Sequence, residues 1–215
     1  MQERDENKLL REAAQWRMTE LLFECPSDEW KREVVNLASE VGDNDLRKAA
    51  ESAQFEASEG LYHATFGPGG PAPPREVTYR SWVQPGYLLA ELSAFYDAFA
   101  YRPKTPDVPD HVAVEAGFVA YLKLKTSFAL ANGDIEAAKM TAETAERFVV
   151  DHISKFAEKL ASSLEFSGIQ YLALAGKSLY RLAGKDPDEK RAPLPVLHEV
   201  EGDEFTCAVG GERFV

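Results

Sequence analysis

Thr105 to Leu122, TPDVPDHVAVEAGFVAYL, changes character halfway along, and its two halves decide how the chain is read. Pro106 and Pro109 cannot continue a helix and bias the residues before them toward extended geometry, so the first half is a stiff arm. In the second half Val112, Ala116, Val119 and Leu122 keep one apolar face at helical spacing, with Phe118 and Tyr121 beside it. Between them Asp110 is expected to cap the helix, its carboxylate accepting from the open N–H groups of the first turn and favouring the positive end of the helix dipole. A stiff arm meeting a capped, aromatic-rich helix is a place to hold something.

Outward from this stretch the periodicity is helical almost everywhere. Upstream, helices are expected over Glu3 to Phe23, from Ser27 to Gly42, and from Asp43 through Tyr62. Then comes Phe66 to Pro74, nine residues of which seven are Gly or Pro, which cannot be regular structure. It lacks the Lys-Ser/Thr ending of a phosphate loop, so Gly67 and Pro68 read as an ordered loop rather than a nucleotide cradle. Val77 to Val83 is β-branched and aromatic but has no partner strand, and reads as extended chain laid across helices. Pro85 starts a helix that stops before Pro103. Downstream, the opening helix runs to Ala131 and ends at Asn132-Gly133. Asp134 caps the next, which continues past His152 to Leu164 after a bend. A last helix spans about Glu165 to Ala183 and ends at Gly184. The expected fold is therefore all-α: one bundle of roughly seven to ten helices over residues 1–184, with a hinge at 101–111 and an acidic, Pro-containing tail over 185–215.

Composition narrows the function. With 215 residues and 45% hydrophobic content the chain can bury a real core. Acidic residues outnumber basic ones 36 to 24, a net charge of −12 that argues against nucleic-acid and anionic-membrane surfaces and favours a cationic partner. Two cysteines, Cys25 and Cys207, make neither a disulfide framework nor a four-ligand zinc site, so a reducing, cytoplasmic setting is expected. No secretory signal is read at the start, and no apolar run reaches the ~18 residues of a membrane span.

Asp110, His111 and Glu115 raise the question of catalysis. His111 and Glu115 are four apart and share a helix face, which would suit a metal-dependent helical enzyme, with His152 as a third group. The alternative is structural: an Asp cap, a first-turn His and a solvated Glu. No nucleophile motif is present, and the aromatics Trp16, Trp30, Tyr96, Phe118 and Phe148 have the spacing of core residues.

Pro109-Asp110-His111-Val112-Ala113-Val114-Glu115 followed by Phe118-Val119-Ala120-Tyr121-Leu122 resembles the signature of the TorD/DmsD/NarJ family of redox-enzyme maturation chaperones. The Gly/Pro segment 66–74 resembles the branch serving type II enzymes of the dimethyl-sulfoxide-reductase family. Phe95-Tyr96 and Phe148-Val149-Val150-Asp151-His152-Ile153 resemble two further family segments, so the likeness covers about Leu9 to Ala183. The resemblance implies no turnover and no resident cofactor. It implies a monomer or weak homodimer that binds the apo catalytic subunit of a molybdenum oxidoreductase, including its twin-arginine signal peptide, until the cofactor is inserted. It places client contacts on Asp110, His111, Glu115 and Tyr121, with Phe118 and Tyr96 beside them, and loop or hinge roles on Pro106, Pro109, Gly67 and Pro68. A weak GTPase is the other activity that relatives suggest. Ala116-Gly117 departs from the family's Leu-Glu and removes an acid. Arg75 to Tyr79 replaces a Tyr-Glu-Ser/Gly-x-Tyr segment.

Overall fold

In the computed structural model, which describes residues 2–188 with side chains from residue 7, every regular element is helical. The order is α1 (Gln2–Leu22), α2 (Asp28–Ala38), α3 (Asn44–Glu56), α4 (Glu59–Phe66), α5 (Glu76–Tyr79), α6 (Pro85–Ala98), α7 (Val112–Ala131), α8 (Ile135–Phe148), a π turn (Val149–Ile153), α9 (Ser154–Phe166) and α10 (Gln170–Ala183). Residues 185–188 begin the expected tail, and the rest of it lies outside the described residues.

The all-α expectation holds, and α7 is its axis. All nine residues from Val112 to Ala120 are buried, so the helix is covered all round rather than along one face. It packs most extensively on α1 and next on α8, while α10 lies between α9 and α3. Phe118 is the hub of an aromatic cluster, with ring centroids 4.8 Å from Phe148, 5.0 Å from Tyr96 and 5.4 Å from Tyr101.

Most expected boundaries are found. Ser27 and Asp43 accept from Trp30 N–H and Leu46 N–H as caps, and Asp134 does the same for Ala137. Gly133 and Gly184 take φ values of 72° and 74° where helices end, a conformation glycine enters without steric cost. The expected bend after α8 is the π turn, which swings His152 inward.

Four local expectations are corrected. The helix from Asp43 does not reach Tyr62: Ala57 turns extended and Ser58 caps a fresh helix by accepting from Leu61 N–H, so four helices precede the Gly/Pro segment. The second helix stops at Ala38, before Gly42. The last helix starts at Gln170 because Gly168, at φ 72°, breaks α9 from α10. Finally, Glu76 to Tyr79 is a single helical turn rather than extended chain. Its aromatic residue Tyr79 stacks on Phe156 and donates its hydroxyl to Pro73 O at 2.8 Å, which holds the turn on α9.

Candidate functional site

Two irregular segments meet at the start of α7. Backbone hydrogen bonds tie them, Val112 N–H to Pro74 O and Glu76 N–H to Asp110 O, both at 2.9 Å, around an antiparallel bridge between Arg75 and His111. The arm that sequence suggests as a hinge is held at both ends. Tyr101 N–H donates to Tyr96 O at 2.8 Å, and the Tyr96 hydroxyl donates to Pro109 O at 2.8 Å.

Asp110 does not cap α7. Its fully buried carboxylate is taken by Arg75, whose Nε stands 2.9 and 3.2 Å from the two oxygens, and by Val77 N–H at 3.4 Å. It therefore serves the start of α5, where Arg75 offers no side-chain cap. A charge-assisted pair is worth more to a buried acid than a cap its neighbour can supply. That neighbour is His111, whose Nδ1 accepts from Ala113 N–H at 3.2 Å. Since Nδ1 accepts, the proton of the neutral ring sits on Nε2, which donates to the Tyr62 hydroxyl at 3.3 Å. Burial holds the imidazole below its ordinary value of 6.5, so the neutral form prevails.

One helical turn on, Glu115 is fully buried, and neither of its oxygens meets a donor. Burial pushes its carboxyl well above the ordinary value, and the nearby Glu76 and Asp110 carboxylates add to the shift. Glu76, also buried, receives Arg80 Nη1 at 2.6 Å and stands 3.2 Å from His152 Nδ1. Glu115 is thus a buried neutral acid rather than the solvated residue its spacing suggests.

The remaining residues expected at the site divide between core and groove. Tyr96 and Phe118 are buried in the aromatic cluster, and half-buried Tyr121 donates to Phe99 O at 2.9 Å, away from the arm's tip. Gly67, Pro68 and Pro106 come together with His111 in a groove of about 520 Å³. Asp107, Val108, Tyr62, Arg75 and Thr78 also line it, and none of these carried a site signal from spacing. Pro109 lies beside the groove and contributes its carbonyl to Tyr96.

His111 has both ring nitrogens engaged, and Glu115 faces Glu76 rather than His111. Among the described residues no group of three or more His, Cys, Asp or Glu side chains is placed to hold a metal ion. No helix of these residues is long and apolar enough to cross a membrane. A family model described as nitrate reductase delta subunit matches residues 30–162. No curated protein matches the chain.

Proposed function

The chain belongs to the nitrate reductase delta subunit family, a redox-enzyme maturation chaperone family of the TorD/NarJ type, and from that premise we propose that it is a cytoplasmic chaperone binding the apo catalytic subunit of a molybdenum oxidoreductase. It acts without turnover, holding the subunit while its cofactor is inserted. The groove between the Gly/Pro loop and the arm receives a segment of that subunit, including its twin-arginine signal peptide. The observation that carries this reading is the groove itself: residues 67–69 and the arm residues 106–108 with His111, two stretches far apart in sequence, line one surface at the start of the family-like motif. Apolar Pro68, Pro106 and Val108 suit an apolar stretch, and half-buried Asp107 offers a carboxylate to a guanidinium. Asp110, His111 and Glu115 shape the groove from below, and the arm shifts between its two ties as the segment enters.

The test is titration of the purified protein with the signal peptide and, separately, with the whole apo subunit of a molybdoenzyme encoded beside it. Asp107→Lys, on the solvent side, is expected to weaken binding roughly tenfold or more with helix content unchanged. Absence of binding to both peptide and subunit would end the proposal. Asp110→Ala with His111→Ala is a poor probe, because it removes an ion pair and a helix cap together.

A further inference from the structure

A second groove lies against the middle of α7 and shares no lining residue with the first. Its floor depends on Gly117. A Cβ there would stand 2.5 Å from the Glu20 carboxyl carbon and 2.5 Å from the Tyr101 hydroxyl. Because the side chain is missing, both groups close against the helix. Glu20 of α1 thereby brings a carboxylate from another helix into the space where the resemblance leads one to expect an acid on α7. What remains is a recess of about 480 Å³ with mainly apolar walls, among them Ala120, Tyr121 and Leu124.

The α7 face that walls the recess with Tyr121 and Leu124 continues past it to Phe128 as an apolar ridge. Tyr121, Leu124 and Phe128 follow Gly117 at steps of four, three and four residues, one side of a helix and about 16 Å long. Leu124 is 48% exposed and Phe128 73%, on a helix whose first nine residues are buried. An apolar ridge continuing a recess is the form of a docking surface rather than a scattered exposure.

The charge of the recess names the partner's chemistry. Arg17, Arg102 and Lys104 line it beside Glu20; Arg17 is taken by Glu20 at 2.6 Å, Glu33 at 2.7 Å and Glu24 at 3.4 Å, so the charge open to a partner is that of Arg102 and Lys104. Among the described residues Arg102 is ion-paired only with Asp97, both well exposed, and Lys104, though attracted to Glu20, stands within ion-pair distance of no carboxylate. Lys125 stands 5.1 Å over the Tyr121 ring at the start of the ridge. On a chain of net charge −12 this is a cationic, apolar surface. We infer that it docks an acidic amphipathic segment of a protein partner, apolar side chains along the α7 ridge and carboxylates on Lys104 and Arg102. A compact anion would fill the recess and leave Phe128 bare. This contact is separate from the groove assigned to the client's signal peptide, whose positive end calls for the opposite charge.

The probe is a short labelled peptide with leucines at helical spacing and glutamates between them, followed by fluorescence anisotropy on the full chain. The parent protein binds it, and affinity falls at least ~tenfold in the double variant Arg102→Glu, Lys104→Glu and again in Phe128→Ser. The same peptide with lysines for glutamates binds more weakly, GTP does not displace it, and Asp107→Lys leaves it unaffected. Equal affinity for parent and charge-reversed protein, preference for the lysine peptide, displacement by GTP, or loss in Asp107→Lys would each overturn the inference. Melting curves of the surface variants confirm that they fold.

Discussion

Glu115 keeps a proton that water would remove. Its folded-state pKa lies well above the ordinary value of 4.5, so the folded protein binds more protons here than the unfolded chain. Its contribution is fully present below pH ~4.5 and is lost as pH rises toward the folded value. The groups facing it are Glu76 and Arg80 around α5, Asp110 ahead of α7 and Tyr96 on α6. In Glu115→Gln a neutral amide replaces the acid with little change of shape. Relative to the parent, its melting temperature should rise steadily between pH 5 and pH 8, as read by calorimetry; a constant gap would show that Glu115 ionises freely. His111 titrates in the opposite sense. Its depressed value makes the folded state resist protonation, so the cap on Ala113 is secure above pH 6.5 and is lost as pH falls. Neither behaviour was legible in the sequence. Helical spacing placed Glu115 on a face with His111, but burial on that face depends on α5, which arrives from 39 positions upstream. Asp110 was read as a cap for the same reason: Arg75, its partner, is 35 residues away.

At the scale of elements, the sequence was most readable where a cap and a stripe agreed. Ser27, Asp43, Asp134, Gly133 and Gly184 mark ends that local chemistry alone determines. It was least readable where a weak breaker interrupts continuous periodicity. Ser58 sits within an apolar pattern that runs on, and only packing shows that α3 and α4 are separate helices; the break between α9 and α10 was expected, but ahead of Glu165 rather than at Gly168. The turn Glu76–Tyr79 has β-like composition, yet the stacking of Tyr79 on Phe156 and the Glu76–His152 contact outweigh propensity. Gly117 belongs to this scale because it sets how closely α1 approaches α7. Alanine there gains about 1 kcal/mol of helix propensity but overpacks against Glu20 and Tyr101 at a cost of about 1–3 kcal/mol. Gly117→Ala should therefore destabilise the parent in urea titrations. In a background of Glu20→Ala with Tyr101→Phe, which clears both atoms, the same substitution should be stabilising. Destabilisation of equal size in both backgrounds would place the constraint elsewhere.

The whole molecule reads as a rigid bundle carrying two surfaces of opposite character. Its core is built on α7, and the motif that opens α7 is used chiefly to fasten the arm and the Gly/Pro loop over the bundle. The family-like residues are mostly inside, and the exposed groove residues are the ones around them. Fold class was legible from periodicity, and the family from residues 109–122, but the groove was not, because three separated segments build it. A chaperone of this kind should prefer a client whose cofactor site is empty. The decisive measurement is the dissociation constant of this protein for the catalytic subunit of a molybdoenzyme from the same genome, compared between cofactor-free and cofactor-loaded forms and between parent and Asp107→Lys. The account predicts binding to the cofactor-free form that is tighter by at least ~tenfold and depends on Asp107. Equal affinity for both forms, or binding indifferent to Asp107, would contradict it.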